Sequence, residues 1–225
     1  MRRLLNVSVL FAISMSTSRA QTTSTPVAEF PRFRLIRGNV DSDGLPISGA
    51  KLCLLKLTDN CYVMPSNTAS SGSVAYEFGL DPLSERLILK EGGSLVFFWS
   101  RFSGGGSGTL DRLAILRYEP GGKIVNLLPY VCATNQSDRA IWNVPKASNF
   151  PVLLTADFDW MDGETHFSPH FYFVNAYRFD AQRDRYTKVF SYRTSKKYPG
   201  LDNAEHIRVL EPERAEILKL LENGV

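Results

Sequence analysis

Four carboxylates and two histidines fall between residues 157 and 170, at Asp157, Asp159, Asp162, Glu164, His166 and His170. The chain has only 3 histidines, so this is its densest concentration of side chains able to ligate a metal or move a proton. In an extended strand Glu164 and His166 share a face, and a bend at Pro169 returns His170 beside them. Two imidazoles and a carboxylate, with Asp162 as a fourth ligand or an outer partner, make a shell suited to zinc or a similar divalent ion. A metal-dependent enzyme is one reading of that shell. The spacing is not H-E-x-x-H, and Pro169 bars an i, i+4 pair on a helix. The competing reading is a polar turn whose carboxylates cap backbone amides while the histidines bond locally.

Other stretches with chemical potential fail on spacing. Asn39-x-Asp41-x-Asp43-Gly44 begins like a calcium loop, but Ala50 stands where the closing glutamate belongs, which leaves a polar hairpin turn. Asp157-x-Asp159 followed by Asp162-Gly163 carries one residue too many for a propeller calcium turn, and a single copy builds no propeller. Gly104–Gly108 is not followed by Gly-Lys-Ser/Thr, and Gly105-Gly106-Ser107-Gly108-Thr109 lacks the last glycine of a nucleophile elbow. His206, beside Glu205, reads as a surface residue. No spacing recommends a Ser-His-Asp triad. The sequence therefore assigns no catalytic or cofactor-binding residue, and a divalent ion is the sole cofactor under consideration.

The elements that must position the cluster are mostly strands. Short runs rich in aromatic and β-branched residues recur at Arg34–Val40, Ala50–Lys56, Val74–Phe78, Arg86–Lys90, Ser94–Ser100, Arg112–Tyr118, Lys123–Leu128, Val152–Phe158, His170–Phe179 and Tyr186–Thr194. Glycine-rich or polar turns separate them, among them Asp43-Gly44, Pro120-Gly121-Gly122 and Ala181-Gln182-Arg183-Asp184. This pattern predicts a mainly β fold, an antiparallel sandwich or barrel-like sheet system. In the late hairpin Phe171, Phe173, Tyr177 and Phe179 share one face, and Tyr186, Phe190 and Tyr192 share a face of the partner strand, an arrangement expected to form core. A C-terminal helix opens at Glu211-Pro212-Glu213, with Ile217, Leu218 and Leu221 as its apolar stripe and Gly224 as its stop.

The N-terminus sets the compartment. Arg2 and Arg3, an apolar run from Leu4 to Ile13 and Ser18-Arg19-Ala20 read as a signal peptide over 1–20. Residues 21–31 follow as a flexible tether, and 32–225 as one all-β domain with its closing helix. All acidic residues lie beyond Ala20, so losing Arg2, Arg3 and Arg19 brings 26 basic residues down to 23, equal to the 23 acidic ones. A neutral mature chain lacks the basic patch that nucleic acid requires, and Arg193, Lys196 and Lys197 read as a solvated strand end. No stretch after the leader is apolar for long enough to span a membrane. Three cysteines in an exported chain suggest one bridge. Cys53 with Cys61, across a turn at Asp59-Asn60, is the nearer pairing and leaves Cys132 a buried thiol. Cys61 with Cys132 is the rival.

Two resemblances add to this. Ile36 to Leu54, I-R-G-N-V-D-S-D-G-L-P-I-S-G-A-K-L-C-L, resembles the opening hairpin of carboxypeptidase-regulatory-like β-sandwich modules. Gly105–Arg117 (G-G-S-G-T-L-D-R-L-A-I-L-R), Glu164–His170 (E-T-H-F-S-P-H) and Lys197–Asp202 (K-Y-P-G-L-D) resemble a group of uncharacterised exported bacterial proteins, which implies export and an all-β fold without an assigned activity. The expectation is a soluble exported protein, periplasmic or extracellular. It would act as a non-catalytic binding or accessory module of the cell envelope, with an envelope or extracellular ligand. The alternative is a metal-dependent enzyme around Glu164, His166 and His170.

Overall fold

The computed structural model describes residues 26–29, 32–36, 50–55, 57–64, 74–80, 93–103, 109–119, 121–128, 132–135, 138–200 and 208–223. Within them lie β1 (Pro26–Glu29), β2 (Phe33–Ile36), β3 (Lys51–Leu54), β4 (Leu57–Val63), β5 (Val74–Leu80), β6 (Ser94–Ser103) and β7 (Thr109–Tyr118). There follow β8 (Ile124–Asn126), β9 (Cys132–Asn135), β10 (Arg139–Trp142), β11 (Val152–Asp159), β12 (Phe171–Asp180), β13 (Arg185–Arg193) and helix α1 (Arg214–Asn223). The strands build antiparallel sheets in the orders β1-β2-β3-β4, β5-β6-β7-β8 with β9 also on β7, and β10-β11-β12-β13. No barrel closes among the described residues; the arrangement is sandwich-like and mainly β.

The sheets and α1 stack as successive layers. Val96, Phe98, Ala114 and Leu116 of β6 and β7 share a core with Phe33, Leu35 and Leu52 of the first sheet. The alternate residues Leu95, Phe97, Leu113 and Ile115 share another with Leu153, Tyr177 and Tyr186 of the third. A sheet covered on both faces cannot alternate apolar with polar residues, and this is why β6 and β7 carry the unbroken runs Leu-Val-Phe-Phe and Leu-Ala-Ile-Leu. The far face of the third sheet, with Leu154, Ala156, Val174 and Ala176, packs on Ile217 and Leu221 of α1. The helix stripe thus lies where its spacing puts it, with Leu218 half-buried against the same core. Polar ties cross the layers: Tyr118 Oη donates to Leu52 O at 2.9 Å, Arg117 forks onto Asp184 at 2.5 and 2.8 Å, and Arg139 pairs with the buried Asp111.

The structure departs from the sequence reading at several points. Residues 26–29, placed in the tether, form β1 on β2, because backbone pairing with an adjacent strand needs no apolar side chain of their own. The chain turns at Leu55, directly after β3, and not at Asp59-Asn60, which lie within β4; Asn60 instead donates its side-chain amide to Gly122 O. Tyr186 does not share a face with Phe190 and Tyr192. The ladder pairs Ala176 with Phe190 but Tyr177 with Lys188, so the bulge at Val189 reverses the pleat between them. Tyr186 and Phe179 therefore turn to the second sheet, while Phe190 and Tyr192 pack towards α1. Strand β10 carries no extended apolar run that foretells it.

Cys53 and Cys61 stand opposite each other in the β3–β4 ladder, with Cα atoms 4.0 Å apart and the sulfurs bonded. The rival pairing with Cys132 is thereby closed. The thiol of Cys132, the leader, Arg86–Lys90, Asp41 and Asp43, Gly104–Gly108, His206 and Gly224 lie outside the described residues. No helix among the described residues is long and apolar enough to cross a membrane.

Candidate functional site

The acid–histidine cluster occupies the end of β11, the start of β12 and the connection between them. That connection folds back as two small turns. In the first, Glu164 N donates to Met161 O at 3.1 Å and Met161 N donates to Glu164 Oε2 at 3.0 Å. Gly163 sits there at φ 77°, a backbone conformation that L side chains rarely adopt. In the second, Ser168 N donates to Thr165 O at 2.9 Å and Thr165 N to Ser168 Oγ at 3.0 Å. Gly200 presses against this turn so closely that a Cβ there would stand 2.3 Å from Ser168 O. No side chain larger than hydrogen fits without moving the loop.

His170 closes the structure. Its backbone forms a bridge with Tyr198, donating to Tyr198 O at 2.9 Å and accepting from Tyr198 N at 2.7 Å. The ring is fully buried against Phe158, 4.4 Å between centroids, and Trp160, 4.9 Å. Nδ1 lies 2.9 Å from Glu164 Oε2 and Nε2 2.8 Å from Thr165 O. A carbonyl and an ionised carboxylate both accept, so a doubly protonated ring donates to both, whereas a neutral ring donates to only one. Lys197 Nζ reaches Glu164 Oε1 at 2.7 Å. With the Met161 N–H and His170 also on the carboxylate, Lys197 as the leading cause holds the Glu164 pKa down to about 2.

Of the four residues expected to ligate a metal, the structure therefore brings Glu164 and His170 together. Asp162 is exposed in the first turn, and His166 is half-buried with its ring edge-on to Trp160 at 4.7 Å. No three of His, Cys, Asp and Glu gather to hold an ion among the described residues. A ligating imidazole needs a nitrogen lone pair, and here both His170 nitrogens point at acceptors. The remaining acids of the cluster have structural partners as well. Asp159 accepts from Arg193 Nε at 2.5 Å, and Asp157 accepts from Asn175 Nδ2 at 3.0 Å. Asn175 in turn accepts from Lys188 and Ser191, which makes it the hub of a polar strip on that face. Arg193, Lys196 and Lys197 are not a bare basic patch. Arg193 stacks on Phe171 at 3.7 Å, Lys197 is bonded to Glu164 and Lys196 lies over Tyr198 at 5.1 Å.

The same segment carries what reading for polar residues passes over. The exposed large apolar residues among those described are Trp160 at 45%, Met161 at 49%, Phe167 at 61%, Phe173 at 40% and Val63. Four of these five lie on this loop or on β12 just beyond it. They fall into two pairs: Trp160 touches His166, next to Phe167 in the chain, while Met161 Sδ accepts from Arg193 at 3.7 Å and Arg193 stands opposite Phe173 in the ladder. A tryptophan, a methionine and a phenylalanine between turn-forming residues are a legible signal of such exposure, once the loop itself is recognised. A separate crevice between β6/β7 and β10/β11, lined by Trp99, Arg139 and Ile141 among others, includes none of them.

No family model matches the chain, and neither a curated protein nor a solved structure matches it.

Proposed function

We propose that this chain is an exported, non-catalytic binding module of the cell envelope whose contact surface is the loop between β11 and β12. The observation that carries this reading is the combination of a fixed backbone with apolar exposure. The hydrogen bonds of Glu164, Thr165, Ser168 and His170 hold the loop, and it presents Trp160, Met161 and Phe167 to the outside. Contiguous exposed apolar side chains mark interaction sites, and a surface already ordered before binding loses less conformational freedom in the complex. Export is supported by the residues of the leader and by the bridged Cys53–Cys61 pair, which suits an oxidising compartment.

The experiment is co-sedimentation of the purified mature chain with an isolated envelope fraction. The wild type should pellet with it, and the variant carrying F167S and M161S should stay in the supernatant with an unchanged melting temperature. Failure of the wild type to pellet ends the binding-module reading. A metal-dependent enzyme at the same place must first free one His170 ring nitrogen from its acceptor before that ring can ligate. A rise in melting temperature with zinc, abolished in H166A, would favour that alternative.

A further inference from the structure

We propose that the partner of this loop is the interface of a lipid bilayer, with Trp160, Met161 and Phe167 seated at the boundary between headgroups and acyl chains. The inference rests on the binding-module reading and names its partner. Three observations point to lipid.

The first is composition and place. A tryptophan, a methionine and a phenylalanine stand at the turn end of a hairpin, and the tryptophan is of the kind enriched where one end of a side chain is apolar and the other wet. The second is charge. Arg193 and Lys197 sit beside the apolar side chains, yet each is paired within the protein, with Asp159 and Glu164, while Asp162 and Lys196 add one charge of each sign. The tip is thus neutral overall. It offers no complement to a strongly acidic or basic protein surface. The third is area. At their fractional exposures Trp160, Met161 and Phe167 present about 300 Å², taking about 150–250 Å² for a whole large side chain. A stable dimer of two such chains needs about 800 Å² from each partner. An interfacial anchor has no such minimum, because lipid closes around whatever is offered.

Because the cations are paired, the contact is apolar in origin. It should depend little on anionic lipid or on salt, unlike adsorption by a polybasic segment. The test is flotation of the mature, disulfide-bonded chain with vesicles of phosphatidylcholine alone and of phosphatidylcholine mixed with phosphatidylglycerol, at low and high salt. Binding should differ by less than about threefold between the two lipids, and F167S with M161S should weaken it about tenfold or more. Brominated acyl chains should quench the tryptophan fluorescence of the wild type and not that of the variant. Both substituted side chains are about half exposed or more, so melting temperature and circular dichroism verify that the variant is folded. Binding only to anionic vesicles, lost at high salt, overturns the proposal, as does flotation unchanged in the variant. Pelleting with the envelope fraction but not floating with either vesicle overturns the lipid assignment and leaves the binding module standing. A concentration-dependent dimer that F167S abolishes, without flotation, assigns the surface to a second copy instead.

Discussion

Two connections in this molecule are clamped, by opposite means. The β3–β4 connection is held by the bond between Cys53 and Cys61, directly opposite in the ladder and 8 residues apart in sequence. The β11–β12 connection is held by Glu164, whose carboxylate gathers the Met161 N–H, the His170 ring and the Lys197 ammonium. The covalent clamp acts largely on the unfolded chain, by removing conformations from it. It is indifferent to protons in the acid range and leaves its hairpin lying against the neighbouring sheet. The polar clamp exists only in the folded state, changes with protonation and holds a folded-back loop on which Trp160, Met161 and Phe167 are about half exposed or more. A connection that must only be short can be tied by sulfur. One that must display Trp160 and Phe167 has to be scaffolded from within.

The largest effect that separates the two clamps should come from His170→Ala. The ring is fully buried between Phe158 and Trp160, and its removal leaves a cavity as well as the Thr165 carbonyl and Glu164 short of a partner. Cavity and lost bonds together should cost about 3–4 kcal/mol. Urea unfolding reads the loss, and hydrogen exchange should show the amides of Thr165 and Ser168 deprotected while those of β6 and β7 stay slow. A loss below about 1 kcal/mol would mean that the loop does not depend on its ring. Replacing Cys53 and Cys61 together by alanine should cost less, about 2–3 kcal/mol, because the closed loop is short. Its mark is selectivity: exchange should quicken around β3 and β4 and leave the β11–β12 loop unaltered. Free mixing of the two effects, with loop amides loosened by the cysteine change, would break the distinction.

The two clamps were unequally legible in the sequence. The cysteine pair could be read because a strand carries its own signature and two nearby cysteines bracket a connection, although Asp59-Asn60 misplaced the turn by a few residues. The layers were legible in the apolar runs of β6 and β7 and in the stripe of α1, and the late hairpin was legible except for two points: Phe173, expected in the core, is exposed, and the strand bulges at Val189. No residue type announces that bulge, and it moved Tyr186 to the other face. The polar clamp was only half legible. Glu164 and His170 stand together in the sequence pattern, but the same carboxylate also takes Lys197, 33 residues away and next to the bridge between His170 and Tyr198. The two acceptors facing the His170 ring are properties of the fold and not of the spacing. Asp138 was invisible for the same reason. It accepts from the Val209 and Leu210 N–H groups just ahead of α1, a contact across 71 and 72 residues.

Asp138 and Glu164 supply the smallest and finest test, because burial and pairing shift them in opposite directions. Glu164 titrates at about 2 against an ordinary 4.5, its proton driven off first by Lys197. The stability that this ionisation adds is present above pH 4.5 and is lost as the pH falls from about 4.5 to about 2. Asp138 is pushed up to about 6 from 3.8, chiefly by burial, with the two backbone N–H groups opposing the shift. Its folded form favours the proton, so its contribution is most favourable below about pH 4 and is lost as the pH rises from about 4 to about 6. Melting temperatures of E164Q and D138N relative to the wild type should therefore change over different ranges. The deficit of E164Q should shrink between pH 4.5 and 2. The difference between D138N and the wild type should move in favour of the variant between pH 4 and 6, and be constant above. The chain without its disulfide should run parallel to the wild type through both ranges, since a sulfur–sulfur bond has no proton to lose. Were E164Q also to run parallel below pH 4.5, the carboxylate would be a bystander at its own clamp, and Thr165 alone would be holding the His170 ring.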